Sequence, residues 1–252
     1  MLMPRFHHIQ MPDLGKIQYG MYPFGMYQDL HDTLIALPDN PTDSDLLASL
    51  ALAGEMGRVL NSQRIALKLM RASDVTEAQR RDYHLILISS GGTNSLLDAV
   101  SARRTLLATG TDKRLADSGN PVLQAIDDNA HGMLEQIVSP YGSEKTVTVL
   151  QGLTPELLKR AVRMLTDIRV TSRLSGNIAV MGLDNEVKSV SLGDQVGFGS
   201  MPARVAARQW WQNNLWVSVA LLVGALFLLF LILKMLLSRY RRRHHGGGRP
   251  DG

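Results

Sequence analysis

Ser89-Ser90-Gly91-Gly92-Thr93-Asn94-Ser95 is the stretch of this chain best suited to chemistry. Small and hydroxyl-bearing residues around two adjacent glycines let backbone amides gather about an anion. A strand before such a loop and a helix after it add the attraction of the helix dipole for a phosphate. The apolar run Leu85-Ile86-Leu87-Ile88 supplies the strand, and residues 95–101 have the spacing of a short helix. Neither a full Walker sequence nor a dinucleotide fingerprint is present. A tight glycine turn accounts for the same residues, so no cofactor is expected. Gly193, Gly197 and Gly199 in residues 191–200 make a weaker candidate, because no strand-to-helix setting surrounds them.

Other reactive side chains are scattered. Asp39, Asp43 and Asp45 surround an expected helix N-terminus, where carboxylates stabilise the dipole; a pair for glycoside hydrolysis is the alternative. The histidines His7, His8, His31, His84, His131, His244 and His245 lack the spacing of a helical metal site, and His84, beside the apolar strand, is expected as a satisfied edge residue rather than a ligand. No Gly-x-Ser-x-Gly elbow occurs, and no serine pairs with a histidine and a carboxylate. Arg239 and Arg243 satisfy an Arg-x-x-x-Arg spacing associated with cyclic dinucleotides, but in so basic a tract the match is nearly automatic.

The elements that must carry these residues follow from pattern. The first thirty residues are turn-rich and read as an irregular lead-in. Thr33-Leu34-Ile35-Ala36-Leu37 reads as a buried strand stopped by Pro38. Thr42 or Asp43 can cap the next helix, whose stripe is Leu46, Leu47, Leu50, Leu52, Ala53, Met56 and Val59, with Asn61 as its stop. Further strands are expected at 65–69 and 85–88. Residues 133–138 and 146–150 form an antiparallel pair across a Ser-Pro turn. A weakly patterned stretch holds a short helix near 122–126. Thr154 and Pro155 then open a second amphipathic helix, although Leu157 stands where a capping box wants Glu or Gln. Residues 177–181 and 186–192 close as a hairpin. The expected fold is an α/β domain over 31–196 with a mixed sheet that ends in an antiparallel edge.

The tail is of another kind. Leu215 to Leu233 is nineteen residues, fourteen of them Leu, Ile, Val or Phe. At about 0.3 to 0.6 kcal/mol each, they favour a bilayer by roughly 4 to 8 kcal/mol. Extended to residues 215–237 at ~1.5 Å per residue, the run spans roughly 34 Å, enough to cross as a transmembrane helix. Before it, residues 200–212 place Ala203, Ala206, Ala207, Trp210 and Trp211 on one side and Arg204 and Arg208 on another, as an amphipathic interfacial helix would. Trp216 sits at the headgroup level and Lys234 must snorkel. Arg239, Arg241, Arg242 and Arg243 mark residues 238–252 as cytoplasmic.

Charge agrees with the division. The tail after Leu233 carries +5, leaving 21 basic and 22 acidic residues for the rest, which excludes nucleic acid as the partner of the large domain. Without cysteine, disulfides and thiolate metal sites are excluded. The large domain is expected on the periplasmic side of a bacterial inner membrane. Because the first residues lack an apolar signal region, the chain is expected to be the C-terminal part of a longer exported polypeptide. A flavin- or nucleotide-binding membrane protein and a tail-anchored cytosolic scaffold are the alternatives.

Three stretches carry a resemblance. They are residues 33–59 (TLIALPDNPTDSDLLASLALAGEMGRV), 133–152 (MLEQIVSPYGSEKTVTVLQG) and 173–182 (RLSGNIAVMG), followed by one membrane helix. Together they resemble the C-terminal part of the regulatory subunits of bacterial cellulose synthases, the cyclic di-GMP-binding regulatory protein family. The resemblance implies a noncatalytic subunit whose last flavodoxin-like module, interfacial helix and anchor dock on the catalytic cellulose synthase subunit. Membrane lipid and nascent glucan are implied as further contacts. It does not imply a flavin, and cyclic di-GMP enters only through the family's description. The interface is expected at Arg204, Arg208, Trp210, Trp211, Trp216, Lys234, Arg239, Arg241, Arg242 and Arg243.

Overall fold

The computed structural model describes residues 9–91, 94–100, 131–192, 195–199, 223–224 and 227–235. The chain divides into two compact units, residues 1–199 and 200–252. The first unit opens with β1 (Ile9–Met11), two single-turn 3-10 helices, and β2 (Thr33–Leu37), buried at all five positions. After it come α1 (Asp43–Val59), β3 (Lys68–Arg71), α2 (Glu77–Asp82), β4 (His84–Ser89) and α3 (Ser95–Val100). Then follow β5 (Gly132–Val138), β6 (Thr146–Gln151), α4 (Pro155–Thr166), α5 (Ile168–Thr171), β7 (Ile178–Met181), β8 (Val187–Val190) and β9 (Val196–Phe198).

Seven of these strands form one sheet in the order β3-β2-β4-β6-β5-β7-β8. β3, β2, β4 and β6 run parallel, with Leu34 opposite Leu85 and Ile86 opposite Thr148. From β6 onward every pairing is antiparallel, with Leu134 opposite Leu150 and Met133 opposite Val180. The fold is therefore mixed α/β with a mixed sheet, as the alternation of patterns predicts. Strand alternation sends residues to two cores. Ile35, Ile86, Leu134, Leu150 and Ala179 meet α1, α4 and the lead-in on one face, while Leu34, Leu85, Leu87, Val147 and Val149 meet α3 and Val75 on the other.

Local chemistry sets the helix ends. Thr42 caps α1: its Oγ1 accepts the Asp45 N–H, and Asp45 accepts the Thr42 N–H in return, a capping box. Asn61, at φ 51°, takes the left-handed turn that stops the helix. At α4, Thr154 accepts the Leu157 N–H and no reciprocal bond forms, as Leu157 dictates.

Several expectations need correction. The buried stripe of α1 is Asp45, Ser49, Leu52 and Met56, and Leu46, Leu47 and Leu50 are exposed at 39, 68 and 60%. The spacing of four, three and four selects that face; Ser49 is satisfied by the Leu46 carbonyl and Asp45 Oδ2 by Thr42, while Asp45 Oδ1 is buried with no hydrogen-bond partner among the described residues. β3 begins three residues later than the alternation at Ile65 suggests, because Leu34 pairs with Lys68. His84 is not at an edge. It opens β4, which has β2 on one side and β6 on the other. The lead-in, expected to be irregular, contains β1 and both 3-10 helices, and Leu14, Ile17, Met21 and Phe24 are buried in the first core.

In the second unit, residues 223–224 and 227–235 are helical, and Lys234 lies among them, exposed. Among the described residues no helix is long and apolar enough to cross a membrane. The expected interfacial helix at 200–212, most of the expected span at 215–237, the basic tail and the short helix near 122–126 lie outside the described residues.

Candidate functional site

In a doubly wound sheet the ligand crevice lies beyond the carboxyl ends of the strands where their order reverses. Here that place is between β2 and β4. The loop after β2 carries Asp39, and the loop after β4 carries the glycine-rich stretch. Gly91 turns there with φ 93°, and Asn94, almost fully buried, is locked in place. Asn94 Oδ1 accepts the Leu97 N–H at 3.0 Å, and its Nδ2 donates to the Ile88 carbonyl at 3.1 Å.

The start of α3 already holds an anion. Asp39 Oδ2 accepts the Ser95 N–H at 3.1 Å, and Oδ1 accepts the Ser95 hydroxyl at 3.0 Å. A carboxylate of the chain itself thus takes the position where a phosphate would be expected, and its charge repels another anion. Local pattern points to both Asp39 and the glycine turn but does not join them, because the link crosses 56 residues. Of the three aspartates, Asp45 serves α1 and Asp39 serves α3. Gly92 and Thr93 lie outside the described residues.

A second polar centre, which sequence patterns miss, lies at the opposite ends of the same strands. Asp32, His84, Lys145 and Thr146 come from three elements. Lys145 Nζ is 3.3 Å from Asp32 Oδ2, and His84 Nε2 is 3.7 Å from the same oxygen. The Thr146 N–H donates to His84 Nδ1 at 3.2 Å, with its hydroxyl at 3.1 Å. The lone pair of Nδ1 is thereby engaged, which assigns the ring proton to Nε2, facing Asp32. Acid, imidazole and hydroxyl in one cluster suggest proton transfer, but His84 is 1% exposed and Thr146 fully buried, so no substrate reaches them. The cluster ties the end of the lead-in to the sheet.

Burial, and secondarily the charge of Lys145, pushes the His84 imidazole down from its usual 6.5 to about 3. The unfolded chain takes up this proton near pH 6.5 and the folded chain does not. Stability is therefore fully present above pH 6.5 and falls as pH drops toward 3, by up to about 1.4 kcal/mol per unit. Urea unfolding at pH 7.0 and 5.0 should show that decline. His84→Gln should flatten it between those values, and an unchanged slope would refute the assignment.

Of the interface residues expected from sequence, Lys234 is placed, on the helical stretch 227–235. Arg204, Arg208, Trp210, Trp211, Trp216, Arg239, Arg241, Arg242 and Arg243 lie outside the described residues. The large apolar side chains of residues 227–235 are 45 to 64% exposed. Just before the second unit, the Gly199 N–H donates to Glu144 Oε1 at 3.0 Å, fastening the end of β9 to the turn between β5 and β6.

Fold and site together define a class: a mixed-sheet α/β module on a doubly wound plan, whose anion position is filled from within. The chain belongs to the family described as cellulose synthase BcsB, second FD domain, whose sequence model matches residues 7–150. It is 26% identical over 93% of its length to a cyclic di-GMP-binding protein of Xanthomonas axonopodis pv. citri, covering 32% of that protein. It is 25% identical over 85% of its length to a cyclic di-GMP-binding protein of Salmonella typhimurium, covering 28% of it. It is 24% identical over 94% of its length to cellulose synthase 1 of Komagataeibacter xylinus, covering 17%. The chain thus spans about a third or less of the length of these relatives.

Proposed function

We propose that the chain is the C-terminal part of a noncatalytic regulatory subunit of a bacterial cellulose synthase complex. It docks on the catalytic glycosyltransferase and supports glucan synthesis and translocation. The carrying observation is the helical stretch 227–235, where apolar side chains face outward without interruption except at Lys234. Burying such a surface in lipid or against apolar partner helices is worth ~25 cal/mol per Å², so it favours a membrane anchor over a free tail.

Under this reading residues 215–237 span the inner membrane, 200–212 lie along its surface, 238–252 are cytoplasmic and the α/β domain is periplasmic. The parallel order β3-β2-β4-β6, with helices on both faces, supports describing that domain as a flavodoxin-like module. The Asp39–Ser95 bond supports a module that works by position rather than by a bound phosphate. Cyclic di-GMP belongs to the names of relatives, and the catalytic partner is the better candidate for sensing it. Ion pairing of Arg239, Arg241, Arg242 and Arg243 with anionic headgroups, at about 1 kcal/mol each, accounts for the basic tract.

The test is co-purification with a membrane glycosyltransferase. Replacing Trp210 and Trp211 together with alanine should reduce recovery of the partner and polymer output about tenfold at equal subunit levels. Full recovery of both would overturn the docking role, and protection of the domain from protease in spheroplasts would overturn the topology.

A further inference from the structure

Parallel strands fix which parts of the chain meet at each end of the domain. β2 starts after Asp32, β4 at His84 and β6 after Lys145, so these residues mark one end of the sheet. α1 and α4 run back from the other end, which brings Val59, the last residue of α1, and Ile168, the first of α5, down to it. Val59 and Ile168 line one cleft with Ile17 and Met21 of the lead-in. Large side chains stand open around it: Ile168 is 64% exposed, Tyr19 48% and Val59 42%. Their backbone is fixed. The Tyr19 N–H donates to the Lys16 carbonyl at 3.0 Å, the Met21 N–H to the Ile17 carbonyl at 2.8 Å, and Asp167 caps α5 by accepting the Arg169 N–H at 3.0 Å.

Positive charge gathers on the same rim. Residues 13–21, 55–65 and 163–173 hold six basic and three acidic side chains, although residues 1–233 as a whole hold 21 basic and 22 acidic. The three acids are matched, Asp13 by Lys16, Glu55 by Arg58 and Asp167 by Arg163. Arg64, Arg169 and Arg173 are exposed and form no salt bridge among the described residues.

We propose that this rim, centred on Tyr19, Val59 and Ile168, rests on an anionic lipid surface, so that the folded domain touches the bilayer itself. Aliphatic and phenolic side chains suit the interfacial zone, and guanidinium groups reach headgroup phosphates while their stems cover hydrocarbon. Nucleic acid would leave the apolar groups unused, and a basic partner is repelled. The exit of the chain adds proximity. Gly199 is tied to Glu144, beside Lys145 at this same end, and fifteen residues separate it from Leu215. Where residues 215–237 span the membrane, as proposed above, that spacer keeps the exit within about 55 Å of the bilayer, and a weak surface is enough. The proximity rests on that reading; the chemistry of the rim does not.

The chain has no cysteine, so single labels report cleanly. Ile168→Cys, Leu47→Cys and Leu228→Cys are each labelled with a polarity-sensitive fluorophore in the full chain. They are reconstituted in nanodiscs of phosphatidylcholine and phosphatidylglycerol that carry nitroxide quenchers. Leu47 lies on α1 ~18 Å before Val59, and its label should be quenched at least about fivefold less than the label at 168. Raising NaCl from about 50 to about 500 mM, omitting phosphatidylglycerol, or replacing Arg169 and Arg173 with Glu should each reduce quenching at 168 at least about threefold. No quenching at 168, equal quenching at 47, or indifference to salt and headgroup charge would each overturn the proposal. So would a 168 label that is shielded only when the glycosyltransferase is added, which would give the rim to that partner. Quenching at 228 without quenching at 168 removes the rim and leaves the anchor; the reverse removes the anchor and leaves the rim.

Discussion

Lys145→Met is expected to lower the unfolding free energy at pH 7 by about 3 to 5 kcal/mol, the usual result of stranding one partner of a buried ion pair. Asp32 is the stranded group: its side chain is 8% exposed, and burial holds its carboxyl above the ordinary range even with Lys145 beside it. Its Oδ1 is buried without a hydrogen-bond partner among the described residues, so the ammonium is the main compensation for the charge. An acid with a raised folded pKa loses stability as pH rises through that pKa. The deficit of Lys145→Met should therefore shrink on acidification, opposite in sign to the His84 effect. Adding Asp32→Asn to Lys145→Met should recover much of the loss. Denaturation at pH 7 and 5 decides it: a loss under about 1 kcal/mol, or no recovery in the double variant, would show that the pair carries little.

Gly152→Val is expected to cost about 3 kcal/mol or more and to lower the unfolding temperature by roughly 10 °C. A Cβ at Gly152 would run into the backbone of Leu157 and Leu158, and one at Gly132 would meet the Leu157 carbonyl and the Ala161 nitrogen. The first residue of β5 and the residue just after β6 are thus glycines that let α4 lie directly on the sheet. Backbone cannot rotate aside as a side chain can, so the strain must shift the whole helix. Gly54→Ala is the internal comparison: its Cβ would meet nothing within 4 Å among the described residues in the middle of α1, and helix propensity predicts a gain of about 1 kcal/mol. Thermal melts of the three proteins would show the ordering, and a Gly152→Val melt within about 2 °C of the parent would refute the close packing.

The parts of the fold written in local pattern were legible. β2 and β4 announce themselves as apolar runs, the turn at Ser139 and Pro140 marks the β5–β6 hairpin, and Thr154-Pro155 opens α4. What sequence could not supply was pairing across distance. β1 joins β9 across nearly the whole domain, and three-residue strands have too few positions to show alternation. The leucines of α1 misled because periodicity identifies a helix but not which of two apolar faces the neighbours cover. The site shows the same limit. The glycine turn and Asp39 were each readable, and their union at Ser95 was not. Likewise His84 is one residue among apolar neighbours until Asp32 and Lys145 arrive from distant parts of the chain.

The β1–β9 ribbon fixes more than a small sheet. Ile9 stands opposite Phe198, so the polypeptide enters and leaves the domain through one corner. A tug between the stretches before residue 9 and after residue 198 loads that corner first and parts its rungs in succession, as a zip opens. The seven-stranded sheet lies off the line of force. Such a load is accordingly taken up at the corner, while the sheet, and whatever it presents to solvent, keeps its shape.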